Sequence, residues 1–175
     1  GSITVHYNPS SGDASRSDGG TQELHDAIGM WAGIADTNIN LVSGGSQTYT
    51  MTCSHPEPPP PPPTPTPDPD NPGSGVNIVM FNDPCDDIID LSGCVGVLGF
   101  GGPWFGGPTN TLSSDGSTWW TIVSQFVVVN NSITNGCMTN SSYQNMLAHE
   151  LGHGLGFGHI TGQSSLMNPS CESGG

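Results

Sequence analysis

The residues best placed to do chemistry are concentrated in His149-Glu150-Leu151-Gly152-His153-Gly154-Leu155-Gly156-Phe157-Gly158-His159, which reads H-E-x-x-H-x-x-G-x-x-H. Four residues apart on a helix, His149 and His153 share one face, about 6 Å apart along its axis. Two imidazoles so placed can converge on one zinc ion. Glu150 lies roughly 100° round the helix from His149, beside the metal, where it can take a proton from a zinc-bound water. Gly156 can adopt positive φ, end the helix and turn the chain, which would return His159 as a third ligand. Three neutral imidazoles leave the fourth tetrahedral position to water, as in catalytic rather than structural zinc sites. At this chain's own residue frequencies the five fixed positions coincide by chance on the order of 2 times in 100,000.

The elements that must carry this motif are legible in outline. The spacing predicts a helix from about Ser141 to Gly154, with Ser141 and Gln144 as a capping box. An earlier helix is predicted from the apolar positions Leu24, Ala27, Ile28, Trp31, Ile34 and Ala35, with Thr21 as N-cap and Glu23 in its first turn. Strands are predicted at 3–7, 39–50, 76–81, 95–100 and within 120–130. The order β-α-β-β-β-β-α implies a mixed sheet with few helices. Between the second and third strands, residues 56–72 hold 11 of the 16 prolines. This is read as a polyproline II surface insertion within one domain spanning 1–175, because the 55 residues before it would make a marginal domain.

The extended motif resembles that of the metzincin metalloproteases. Met167, eight residues after His159 and followed by Asn168-Pro169, resembles their Met-turn, and this spacing is most similar to the matrixin branch. The resemblance implies an α+β, zincin-like fold: a twisted, mostly parallel five-stranded sheet, two long helices and a Met-turn. It implies a secreted zinc endopeptidase, with His149, His153 and His159 on one catalytic Zn2+, Glu150 as general base, and Gly156 and Met167 as structural support. The strand at 95–100 would be the edge on which an extended substrate pairs, with an ordinary buried strand as the alternative. Ile160 and the lack of a tyrosine after Met167 depart from related patterns. The runner-up is a different metzincin branch, pappalysin- or astacin-like, and these two features are what discriminate it. With no histidine between Pro56 and Ala148, the second zinc site of some matrixins is expected to be absent. From a different class, the alternative is a non-catalytic zinc module that recognises peptides or glycans; Glu150 argues against it.

Composition bounds the partners. The net charge is −14, lysine is absent, and Arg16 is the one basic side chain. Such a chain cannot neutralise a phosphate backbone or an anionic membrane surface. The expected partner is therefore a protein or peptide substrate, met by a monomer. Five cysteines without a C-x-x-C pair fit an exported, disulfide-bonded protein. Short-loop closure favours Cys85–Cys94, and Cys137–Cys171 would clamp the motif, leaving Cys53 free or joined to a missing partner. Asp83, Asp86, Asp87 and Asp90 are candidate Ca2+ ligands, with a solvated acidic loop as the alternative.

Overall fold

The computed structural model describes residues 2–32, 34, 37–50, 53, 75–112 (backbone alone at 107–112), 116, 118–134, 136–162 and 164–169. Five strands and two helices follow one another as β1 (Ile3–Tyr7), α1 (Thr21–Trp31), β2 (Leu41–Ser46), β3 (Asn77–Met80), β4 (Gly99–Leu112), β5 (Thr118–Val129) and α2 (Asn140–Gly154). The sheet order is β2-β1-β3-β5-β4. β1 runs parallel to β2 and β3, and β3 runs parallel to β5. β4 alone is antiparallel, and it forms one edge, with β2 at the other. This is the mostly parallel five-stranded sheet with two helices that the sequence suggests.

Both helices contribute to one buried layer against the sheet. Val5, Val79, Val127 and Val129 meet Leu24, Ala27, Ile28, Tyr143, Leu147 and Leu151 there. α2 is buried almost all round from Met146 to Gly152, so it is the central helix of the fold rather than a surface one. Trp31, the last residue of α1, donates from Nε1 to the Ala148 carbonyl at 2.7 Å and stacks on Phe157, ring centroids 5.4 Å apart. Arg16 ties the loop before α1 to the start of α2, donating to Asn140 Oδ1 (2.8 Å) and the Met138 carbonyl (3.0 Å). Its guanidinium also lies 4.5 Å over the Tyr143 ring. Asn77 does backbone work with a side chain: Nδ2 donates to the Thr4 carbonyl (2.9 Å), and Oδ1 accepts from the Gln125 amide (3.1 Å).

Both helix starts differ from the sequence reading. Thr139, not Ser141, caps α2, accepting from the Ser142 amide at 3.1 Å. At α1 the residue before the helix is Gly20, and the Asp18 carboxylate reaches the amides of Gly20 (3.1 Å) and Gln22 (2.8 Å) in place of a Thr21 cap. The fourth strand starts where the expected 95–100 segment ends. Residues 95–98 instead follow an isolated bridge between Ser92 and Val95, with Val95 and Val97 exposed. Glycine and proline are depleted in strands, so Gly99–Gly107 hides its strand character in the sequence.

The cysteine pairing is also corrected. The bridges are Cys53–Cys85 and Cys94–Cys137, not Cys85–Cys94 and Cys137–Cys171, and Cys53 is not free. Loop entropy separates closure over 43 residues from closure over nine by only about 1.4 kcal/mol. Folded placement decides, and it sets the turn at 92–95 against the segment entering α2. Cys171 and the proline-rich segment 56–72 lie outside the described residues.

The Trp31 brace yields a graded expectation. Trp31→Phe, which keeps an aromatic ring but loses the hydrogen bond, should cost about 1 kcal/mol in chemical denaturation. Trp31→Ala should cost about 3–5 kcal/mol.

Candidate metal centre

α2 ends in hydrogen bonds that aim its histidines. The Phe157 amide donates to the Gly152 carbonyl (3.0 Å) and the Gly156 amide to the His153 carbonyl (2.9 Å). Gly156 sits at φ 92°, as the sequence anticipates for the turning residue, so the chain leaves in the left-handed conformation of a Schellman stop. It then returns, and the Ile160 amide donates to the Met167 carbonyl at 2.8 Å. Met167 is buried with its sulfur against Gly152, beneath this loop.

The three imidazoles meet edge to edge. His149 Nε2 lies 3.0 Å from His153 Nε2 and 3.2 Å from His159 Nε2, and the last two are 3.1 Å apart. His149 Nδ1 is 2.7 Å from the Leu166 carbonyl, and His153 Nδ1 is 2.8 Å from the Phe157 carbonyl. A carbonyl only accepts, so each of these Nδ1 atoms carries the proton and each Nε2 presents a lone pair. Two lone pairs 3.0 Å apart cannot bond each other; they call for a cation between them. Tetrahedral zinc with bonds near 2.05 Å sets its nitrogens about 3.3 Å apart, which matches this spacing. Among the described residues, these three are the group of His, Cys, Asp or Glu side chains spaced to hold a metal. Burial holds the His149 pKa below its ordinary value, which favours the neutral, ligating form.

Glu150 is buried, and burial pushes its carboxyl up to about 7, against the pull of a hydrogen bond from the Gly101 amide. That contact needs β4 to lie directly on α2. A Cβ at Gly101 would collide with the Glu150 backbone. The Leu98 carbonyl accepts from the Asn130 amide across β5, so the alternate residues Gly99 and Gly101 turn their peptide groups to the free edge. A cleft of roughly 670 Å3 opens here, running from Cys94 through Gly101 and past Met146, Glu150 and the three histidines. The Cys94–Cys137 bridge forms part of its wall.

The aspartates fall elsewhere. Asp83 is buried and spends its carboxylate on the amides of Cys85 (3.3 Å) and Ile88 (2.6 Å), and Asp86 takes a positive φ of 56°. The contributions of Leu166, Phe157 and Gly101 are missing from the sequence reading because backbone groups carry no residue signature.

His159→Ala should weaken zinc binding by more than the roughly 10–100-fold expected for loss of an outer-shell partner, read by competition with a chromogenic chelator. Because ligands must be neutral, zinc affinity should fall as pH drops through the imidazole range. Gly101→Ala should lower stability by about 1–3 kcal/mol through overpacking on α2, measured in the same denaturation assay.

No curated protein matches the chain. The family model described as matrixin matches residues 71–174, more than half of its length, and takes in β3 to β5, α2, all three histidines and Met167. With the edge-strand topology and the converged histidines already in place, the match shows that the chain belongs to the matrixins, a family of zinc metalloproteases.

Proposed function

We propose that this chain is an endopeptidase that hydrolyses internal peptide bonds of protein substrates, with His149, His153 and His159 holding one zinc ion. The observation that carries this reading is the buried Glu150 carboxyl beside three converging Nε2 atoms in an open cleft. When bound, zinc supplies Lewis acidity, polarising a carbonyl and lowering the pKa of water from 15.7 to about 7. Glu150 does the proton work. Its carboxylate accepts a proton from the attacking water and delivers it to the departing amine nitrogen. A carboxyl poised near 7 suits both halves of that transfer. The Gly101 amide holds the carboxylate in place at the edge of β4, which leaves the Gly99 peptide groups and the Gly101 carbonyl for an extended substrate. Gly156 and Met167 shape the loop that brings His159 in.

In this reading the chain is one catalytic domain acting as an extracellular monomer. Two disulfides suit an oxidising compartment, and no described helix is long and apolar enough to cross a membrane. The charge of −14 disfavours nucleic acid and anionic surfaces. Ca2+ at Asp83, Asp86, Asp87 and Asp90 remains a separate proposal, tested by calcium titration of thermal stability.

Casein or gelatin hydrolysis tests the main reading. Glu150→Ala should lower kcat by about 10²–10⁴-fold, and a chelator should abolish turnover until zinc is restored. Activity that survives both treatments overturns the mechanism. An inert wild type that still holds one zinc per chain would mark a recognition module instead.

A further inference from the structure

The β4–β5 ribbon outruns the rest of the sheet. β3 meets β5 only at Phe126, Val127 and Val128, so residues 118–124 of β5 pair with β4 alone among the described strands. This free arm is apolar on both faces. Phe105 is 53% and Trp119 59% exposed, and Trp104, Trp120, Ile122 and Val123 are each more than a third exposed. Residues 97–129 carry a single charged side chain, Asp115, in a chain of net charge −14. Exposed apolar area of this kind, kept clear of charge, marks an interaction surface.

The arm continues the cleft. Ile122 lies beside Gly156, the residue that turns the chain toward His159, and β4 runs outward from the Gly101 amide on Glu150. The register places Pro103 opposite Gln125, whose amide points away from β4 to Asn77, so Pro103 turns its peptide nitrogen to the free edge. Backbone pairing by an incoming strand can use the Gly99 peptide groups and the Gly101 carbonyl, and it finds no donor at Pro103, which has no N–H. The same proline blunts β4 against pairing with a second copy of the chain. Beyond Pro103, recognition passes from the backbone to Phe105, Trp119 and Trp120. Phe105 and Pro108 (opposite Trp120) lie four and seven residues past Gly101, roughly 13 and 23 Å along the strand.

We infer that the ribbon is an extended recognition surface for polypeptide substrates, selecting uncharged apolar or aromatic residues about four to eight positions from the scissile bond on one flank. This inference rests on the peptidase reading above.

Cleavage of a proteome-derived tryptic peptide library, read by mass spectrometry, tests it with wild type and a Phe105→Ser, Trp119→Ser double variant. Wild-type sites should show about threefold enrichment of Phe, Trp, Leu, Ile or Val at those distant positions. The variant should lose that enrichment and keep the preference at the two residues flanking the cut. An identical profile in both proteins overturns the inference. Binding is measured separately from turnover, by anisotropy of fluorescein-labelled insulin B chain on Glu150→Gln protein with and without the double substitution. The substitution should raise Kd about tenfold. Unchanged Kd with cleavage intact overturns the ribbon's role alone. Absence of cleavage with the Kd difference intact overturns the peptidase reading alone.

Discussion

Two carbonyl oxygens, of Leu166 and Phe157, govern the rest of the site. By accepting the Nδ1 protons of His149 and His153 they fix the tautomer of each ring and turn both Nε2 lone pairs inward. The resulting cluster is electrostatically unfavourable without a cation. The fold therefore has to hold it in place, which explains why so much structure converges on the end of α2. Trp31 braces the helix through Ala148, the Gly156 stop redirects the chain, and Met167 closes the returning loop over Gly152. Helix propensity would not choose a segment with glycines at 152 and 154, each costing about 1 kcal/mol relative to alanine. Burial against α1 and β5 outweighs that cost, so α2 is held by tertiary packing rather than by its own sequence.

The placement of β4 is the second half of the design. An edge strand poor in side chains can lie on the Glu150 backbone, and its outward peptide groups are then divided between the Glu150 carboxylate and the open cleft. One wall of the cleft is covalent, since Cys94–Cys137 ties the turn before β4 to the segment entering α2. The cleft-facing backbone of β4 and the histidines of α2 are thus tied to one another through this bridge.

Much of this was legible from residue types. Histidine spacing announces itself because a helix has a fixed pitch, and Gly156 because positive φ excludes most residues. The alternating pattern of Ile3–Tyr7 and the β-branched run in β5 gave those strands directly. What was illegible has a common physical root. β4 is built from glycine, proline and aromatics, and it is a strand because β5 offers it partners, not because its residues prefer extension. The disulfides depend on three-dimensional placement, which a loop-entropy difference of about 1.4 kcal/mol cannot override. The helix caps lie upstream of the expected Thr21 and Ser141 because Asp18 and Thr139 reach the first free amides, those of Gln22 and Ser142. Local sequence does not say which competitor the preceding loop will present.

Arg16 has a further consequence. With no lysine, the chain offers enzymes that cut after basic residues a single peptide bond, and that bond is guarded. The Arg16 carbonyl accepts from the Gly19 amide, its own amide donates to Asp13, and its guanidinium is held by Asn140 and Met138. A digestive protease would have to unravel this loop before the arginine could enter its specificity pocket. Cleavage there thus depends on local opening of the loop rather than on exposure of the arginine alone.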